Sequence, residues 1–249
     1  MTQRTLFVVL FFVAATSLWG QTYPNLNQST LVDNGLPGAV GWGSCADCAG
    51  GVGTATIASS PFQGTPSLDG SSMDFYINGT PYSDGLWWYK VGPNDAVSHL
   101  ALDFWVYVNS NTSSAQALEF DAFQFNSGVQ YMFGTQCDYF SGTWDVWNAA
   151  AGSWVQTSYK CNQFQPNTWY HLQMIFHRSS PDNREHYDSI TIQQAGKRGS
   201  TTLRLNISLP AGVMPPTWSD NMGVQFQMDV GPTGTPMQEW VDEVTLATY

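Results

Sequence analysis

Apolar and polar residues alternate one for one through much of this chain, and no helical repeat is sustained anywhere. In His99–Val108, every second position is apolar: Leu100, Leu102, Phe104, Val106 and Val108. In residues 169–177, Tyr170, Leu172, Met174 and Phe176 do the same, and Trp169, His171, Gln173, Ile175 and His177 take the other face. Successive side chains of a strand point to opposite faces, so such runs build antiparallel strands with one core face and one mixed face. Strand signals recur through residues 73–77, 85–90, 99–108, 117–125, 129–133, 143–148, 153–159, 169–177, 186–193, 202–208, 223–228 and 239–248. Clusters rich in Gly, Pro, Asn, Asp and Ser separate them, as at 109–114, 179–183 and 231–236. This spacing predicts an all-β antiparallel sandwich. Residues 21–72 are Gly- and Ser-rich, with weak strand signals, and are expected as a long irregular lead-in to a single domain.

The first residues predict something other than fold. Arg4 precedes a ten-residue apolar run, Leu6 to Ala15, and small and polar residues follow. That is the pattern of a secretory signal peptide over 1–20, leaving a domain of 21–249; the run is too short to span a bilayer. The expected location is therefore secreted, extracellular or in the cell envelope. Cys45, Cys48, Cys137 and Cys161 are even in number, which in an exported chain favours disulfides. Spacing alone does not fix their connectivity. Pairing Cys45 with Cys48 and Cys137 with Cys161 is preferred, because each pair brackets a local loop or neighbouring strands. Cys45-Ala-Asp-Cys48 is also half of a redox or zinc motif, with no second half to accompany it.

Charge narrows the partners. Only 11% of residues are charged and the formal net charge is −11, which argues against nucleic acid or an anionic membrane. Polarity comes instead from Ser, Thr, Asn, Gln and Gly, beside 11 Trp and 11 Tyr. Neutral hydrogen-bonding groups and aromatic faces suit neutral sugars, whose hydroxyls bond amides and whose C–H faces stack on rings.

One strand concentrates the chemistry: Glu119-Phe120-Asp121-Ala122-Phe123-Gln124. Alternation puts Glu119, Asp121 and Phe123 on one face. Two carboxylates side by side repel, so a cation, a metal or a split pair of pKa values must offset them. This strand resembles those of the concanavalin A-like lectin and glucanase superfamily: Glu-x-Asp-x-x-Glu in laminarinase-type glucanases and Glu-Phe-Asp-Thr-Phe in legume lectins. Pro166-Asn167-Thr168-Trp169-Tyr170-His171-Leu172 is similar to a strand of laminin-G-like and pentraxin-like members. The ending Glu239-Trp240-Val241-Asp242-Glu243-Val244 is similar to that of many carbohydrate-binding jelly rolls.

The glucanase resemblance implies Glu119 as nucleophile with Asp121 assisting, but Gln124 stands where the acid/base glutamate belongs, and an amide cannot transfer that proton. The legume-lectin resemblance implies Glu119 and Asp121 as metal ligands, yet Phe125 occupies the position of the next ligand and Asn126 falls one residue late. The jelly-roll resemblance implies a structural calcium at Asp242, with Asp33 and Asp47 as N-terminal partners. The expected function is non-catalytic binding of a polysaccharide or glycan. Glu119, Asp121, Gln124, Gln173, His171 and Gln227 would supply hydrogen bonds, and Trp147 and Trp88 stacking. The alternatives are a glucanase-type hydrolase using Glu119 and Asp121, or a structural or adhesive envelope protein.

Overall fold

A computed structural model describes residues 20–234 and 236–249. Residues 1–19 of the expected signal peptide lie outside the described residues. In chain order the strands are β1 (Gln21–Tyr23), β2 (Gly41–Ala46), β3 (Ala55–Gln63), β4 (Ser72–Gly79), β5 (Asp84–Gly92) and β6 (His99–Val108). Then come β7 (Ala115–Asn126), β8 (Val129–Phe133), β9 (Thr135–Asp138), β10 (Thr143–Asn148), β11 (Ser153–Lys160) and β12 (Trp169–Ser179). The last are β13 (Arg184–Gln194), β14 (Thr201–Pro210), β15 (Gly212–Val213), β16 (Asn221–Val230) and β17 (Met237–Thr248). The only helical turns among the described residues are two short 3-10 segments, Leu26–Gln28 and Ser110–Ser114.

The strands form two antiparallel sheets. The first runs β14-β13-β12-β6-β17-β4-β3, with β1 also on β17; the second runs β11-β10-β9-β7-β16-β5-β2, with β8 joining β7 to β15. Alternation dictates what meets between them. Leu100, Leu102, Phe104 and Val106 from β6 face Leu118, Phe120 and Ala122 from β7 and Val224, Phe226 and Met228 from β16, all buried. Phe75 stacks on Trp87 at 4.9 Å, and Phe104 packs on both Phe120 and Phe226. Aromatic contacts of this geometry add roughly 0.5–1.5 kcal/mol per pair beyond area burial. Trp87 and Trp88 are neighbours in sequence, so one must face in and the other out.

The irregular lead-in expected over 21–72 is corrected: β1, β2 and β3 lie within it. Their alternation is broken by Gly and Ser, and pairing to β17, β5 and β4 supplies what local pattern does not. Both disulfides are present, Cys45–Cys48 at the end of β2 and Cys137–Cys161 tying β9 to the segment after β11.

Two acids face the inter-sheet space. Glu239 sits between Met237 and Val241 on the inward side of β17, fully buried, with neither carboxyl oxygen bonded. Burial pushes its pKa well up. Glu185, also buried, accepts from the Met132 N–H, but its second oxygen has no partner, and burial raises it to about 9.

Candidate functional site

The outer face of the second sheet carries two cross-strand rows of polar and aromatic tips. Register aligns Leu86 of β5, Gln227 of β16, Glu119 of β7, Gln136 of β9, Asp145 of β10 and Gln156 of β11. With strands about 4.8 Å apart, that row spans about 24 Å. Beside it lie Gly43, Trp88, Gln225 and Asp121. Two residues along β10 from Asp145 stands Trp147, opposite Trp154 of β11. Indoles therefore bracket the polar centre: Trp88 on one side, Trp147 and Trp154 on the other.

Glycines seat the indoles. A Cβ at Gly43 would fall 2.4 Å from the Trp88 ring, and one at Gly134 would fall 2.7 Å from Trp147 Cβ. Trp88 thus lies flat over β2, its far face turned outward. Its Nε1–H donates to Asp33 Oδ2 at 2.9 Å, and Lys90 Nζ reaches the same oxygen at 2.7 Å. Burial alone would raise the pKa of Asp33, but the bonds from Lys90, Trp88 and the Gly35 N–H outweigh it and hold it low.

The centre is a lattice of acids and amides. Gln227 Nε2 donates to Glu119 Oε1 at 2.8 Å and to Asp229 Oδ1 at 2.9 Å. Gln225 Nε2 donates to Asp121 Oδ2 at 2.8 Å, and the Thr135 N–H to Asp121 Oδ1 at 2.8 Å. Asp145 accepts from Gln136 and from the Thr143 hydroxyl. Burial, then the charges of Asp229 and Asp121, raise Glu119 well above the usual carboxyl range. Burial lifts Asp121 to about 8, against the bonds from Thr135 and Gln225, and lifts Asp229 to about 6. The Asp229 carboxyl adds to the upward shift of Glu119, so of the two Glu119 keeps its proton to higher pH. So the repulsion implied by two adjacent carboxylates is relieved by protonation and amide donors. Burial therefore favours the neutral form at Glu119 and Asp121 more than at Asp229.

The structure brings Glu119, Asp121, Gln227, Trp88 and Trp147 together on this face. It does not bring Gln124, His171 or Gln173. The β7 ladder with β16 is regular from Glu119 to Gln124, so an odd separation of five puts Gln124 on the opposite side. There its amide donates to Asn94 O and Val97 O and accepts from Arg178 Nε at 2.8 Å. The glucanase position is thus both chemically and geometrically lost. His171 and Gln173 lie on the first sheet, both bonded to Asp103, at 2.7 and 3.0 Å. The Asp103 carboxylate, despite some burial of the ring, raises the His171 pKa. Trp87 and Trp144, candidate platforms by composition, are core residues. Exposure is low at the centre: Glu119 is 5% and Asp121 1% exposed, while Trp88, Trp147, Trp154 and Asp229 are half-buried and Gln156 is exposed. Direct contact therefore falls to the indoles, Gln156 and Asp229, with the acids holding the amides in place. Asp145 and Gln156 were legible from the period of β10 and β11; Gln136 was not, because β9 is too short to announce itself.

Among the described residues, no group of three or more His, Cys, Asp or Glu side chains is arranged to hold a metal. Asp242 does not fit a calcium. Its Oδ1 accepts from Asn27 Nδ2 and the Glu243 N–H, its Oδ2 from Ser67 Oγ and the Leu68 N–H. Four donors converge on it, a setting for an anion and not for a cation. Neither Asp33 nor Asp47 is among its partners; Asp47 accepts from the Ala55 N–H.

No family model matches this chain, and no curated protein matches it in sequence. Solved structures do resemble it. The marine PL-14 alginate lyase from Aplysia kurodai aligns at 10% identity and a TM-score of 0.53, over 78% of this chain and 87% of that one. Arcelin-5, a lectin-like defense protein from Phaseolus vulgaris, aligns at 11% identity and a TM-score of 0.49, over 92% and 98%. A family 11 carbohydrate-binding module from Clostridium thermocellum, in complex with a β-1,3-1,4-mixed-linked tetrasaccharide, aligns at 16% identity and a TM-score of 0.39, over 92% and 96%. The likeness to the alginate lyase is one of fold: two antiparallel sheets packed as a β-sandwich, as the alternating strands predicted.

Proposed function

We propose that this chain is an exported glycan-binding protein without catalytic activity, and that the outer face of its second sheet takes a neutral polysaccharide. One observation carries this reading: Trp88, its ring packed over Gly43, and Trp147, its Cβ against Gly134, flank a fixed lattice of amides and buried acids. Indole faces supply apolar burial against sugar C–H groups. The carboxyls take the Nε2 atoms of Gln225 and Gln227, which fixes both amides beneath the indoles, Gln156 and Asp229 that a sugar would meet. Protonation of Glu119 and Asp121 lowers the cost of covering the face, since a buried charge is far dearer to desolvate than a neutral acid. No helix among the described residues is long and apolar enough to cross a membrane.

The test is retention on insoluble β-glucans and on a glycan array. The Trp88→Ala, Trp147→Ala double variant is expected to lose binding by about tenfold or more, with its fold intact, because both rings are partly exposed. Retention by no glycan at all would overturn the proposal and leave the structural or adhesive reading.

A hydrolase remains the second reading, favoured by the Glu119–Asp229 pair with its divided proton affinities. Against it, Gln124 stands where the acid/base glutamate belongs, and its amide is spent on Asn94 O, Val97 O and Arg178 on the other side of β7. Release of reducing ends from β-glucan by the wild type, abolished in Glu119→Gln, would replace the binding reading with this one; the expected result is no release.

A further inference from the structure

The opposite side of β10 opens onto a second concavity. Asp145 faces the lattice described above, and its neighbour Trp144 faces inward. There, between the edges of the two sheets, is a cleft of about 470 Å³. Ligand pockets typically occupy roughly 300–1,000 Å³. Its apolar lining comes from Trp144, Phe164, Tyr170, Ile192 and Leu203. Trp144 contributes an indole N–H that has no hydrogen-bond partner.

The rim is cationic in a protein that is otherwise acidic. The whole sequence holds eight Lys and Arg, and three of them, Lys160, Lys197 and Arg198, line this one cleft. All three are exposed. Among the described residues, ion pairs join Lys90 to Asp33, His171 to Asp103 and His177 to Asp188, and none takes in the cleft cations. No Asp or Glu lines the cleft. Gln163, Gln165 and Gln194 add uncharged donors, and Gln194 Nε2 is already fixed to Gln165 Oε1 at 3.0 Å. Three exposed cations on the rim and no carboxylate in the lining leave the mouth of the cleft positive, which favours an incoming anion.

From this we infer that the cleft is a binding site, separate from the glycan face, for a small organic anion: a flat apolar body carrying a carboxylate or sulfate oxyanion. The rings and aliphatic side chains take the body. Lys160, Lys197 and Arg198 take the oxyanion at the mouth, where charge-assisted bonds are stronger than neutral ones. Nothing in the inference depends on the glycan reading.

Titration with 8-anilinonaphthalene-1-sulfonate, read by its fluorescence, tests this on the natively folded protein. Saturable binding at one site is expected. It should weaken by about tenfold or more in the Lys160→Ala, Lys197→Ala, Arg198→Ala triple variant, whose exposed substitutions leave the fold intact. It should also weaken as salt rises, and remain unchanged in the Trp88→Ala, Trp147→Ala variant. Displacement by 1-naphthoate identifies carboxylate, and displacement by 1-naphthyl sulfate identifies sulfate, as an accepted oxyanion; either supports the site. Equal displacement by uncharged naphthalenemethanol, or undiminished binding by the triple variant, overturns it.

Discussion

Replacing Glu239 by Met should stabilise this protein at neutral pH, and the gain should fade on acidification. Glu239 lies fully buried on the inward face of β17 with neither carboxyl oxygen bonded. Its pKa is raised by burial, so in the folded chain it holds its proton. In the unfolded chain it ionises near 4.3. Between those two values, folding must take up a proton, which costs about 1.4 kcal/mol for each pH unit above the unfolded pKa. The cost grows with pH until the folded pKa is passed, so it is largest on the alkaline side of that window. Met has similar length and no polar atom to leave unbonded, so it escapes both this cost and that of an unpaired buried acid.

The same sign applies to six other acids, Asp74 and Asp145 among them. Asp229 is raised to about 6, Asp121 to about 8, Glu185 to about 9, and Glu119 well up. The unfolded state binds fewer protons than the folded one throughout these windows, so stability falls as pH rises. His171, raised by Asp103, acts in the same direction, because its contribution is lost as pH climbs through its folded value. Wild-type stability from urea denaturation should therefore increase from about pH 8 down to about pH 5, the reverse of ordinary acid denaturation. Glu239→Met should shorten that slope by one proton. A flat or rising profile with pH, or a Met variant less stable than wild type at pH 7.5 (about 3 pH units above the unfolded value), would sink the account.

The sandwich was legible because one-faced strands leave a period of two in the sequence. His99–Val108, Val129–Phe133 and Thr143–Asn148 begin and end where alternation says they should. The lead-in strands left no such trace: β2 carries Gly43, where a Cβ would strike the Trp88 ring, and Gly41, where one would strike the Leu31 backbone, so packing there erased the pattern that would have revealed it. The site was half legible for a related reason. Alternation assigns Glu119, Asp121 and Gln227 to faces within their own strands, but says nothing of which sheet a face belongs to. His171 and Gln173 share a polar face of their own, one sheet away. Nor does spacing show that Asn27, which begins an Asn-Gln-Ser sequon, is fully buried and spends its amide on Ser71 O and Asp242, leaving none for a glycan.

Asp242→Ala should be strongly destabilising, with a loss of roughly 1–3 kcal/mol. The residue sits at a bulge in β17, where the pairing with β6 shifts between Asp242 and Thr245 and Glu243 adopts φ 52°. The bulge turns the carboxylate under a loop, and three separate stretches of chain close on it. Asn27 comes from the first 3-10 turn, Ser67 and Leu68 from the loop before β4, and Glu243 from the bulge itself. Asn27 then reaches onward, accepting from the Val244 N–H at 2.9 Å. Alanine removes the buried acceptor of Asn27 Nδ2, an unpaired buried donor costing about 1–3 kcal/mol, and frees the Leu68 and Glu243 N–H groups, which lie nearer the surface. Asn is no remedy, because its NH2 would confront a donor whichever way the amide is turned. Urea midpoints of the wild type, Asp242→Ala and Ser67→Ala measure the difference, the last removing one donor and costing about 1 kcal/mol. Chelation separates this account from a calcium site. If donors alone hold the carboxylate, EDTA leaves the wild-type midpoint where it was; if a cation sits there, EDTA reproduces much of the Asp242→Ala loss and the donor account fails.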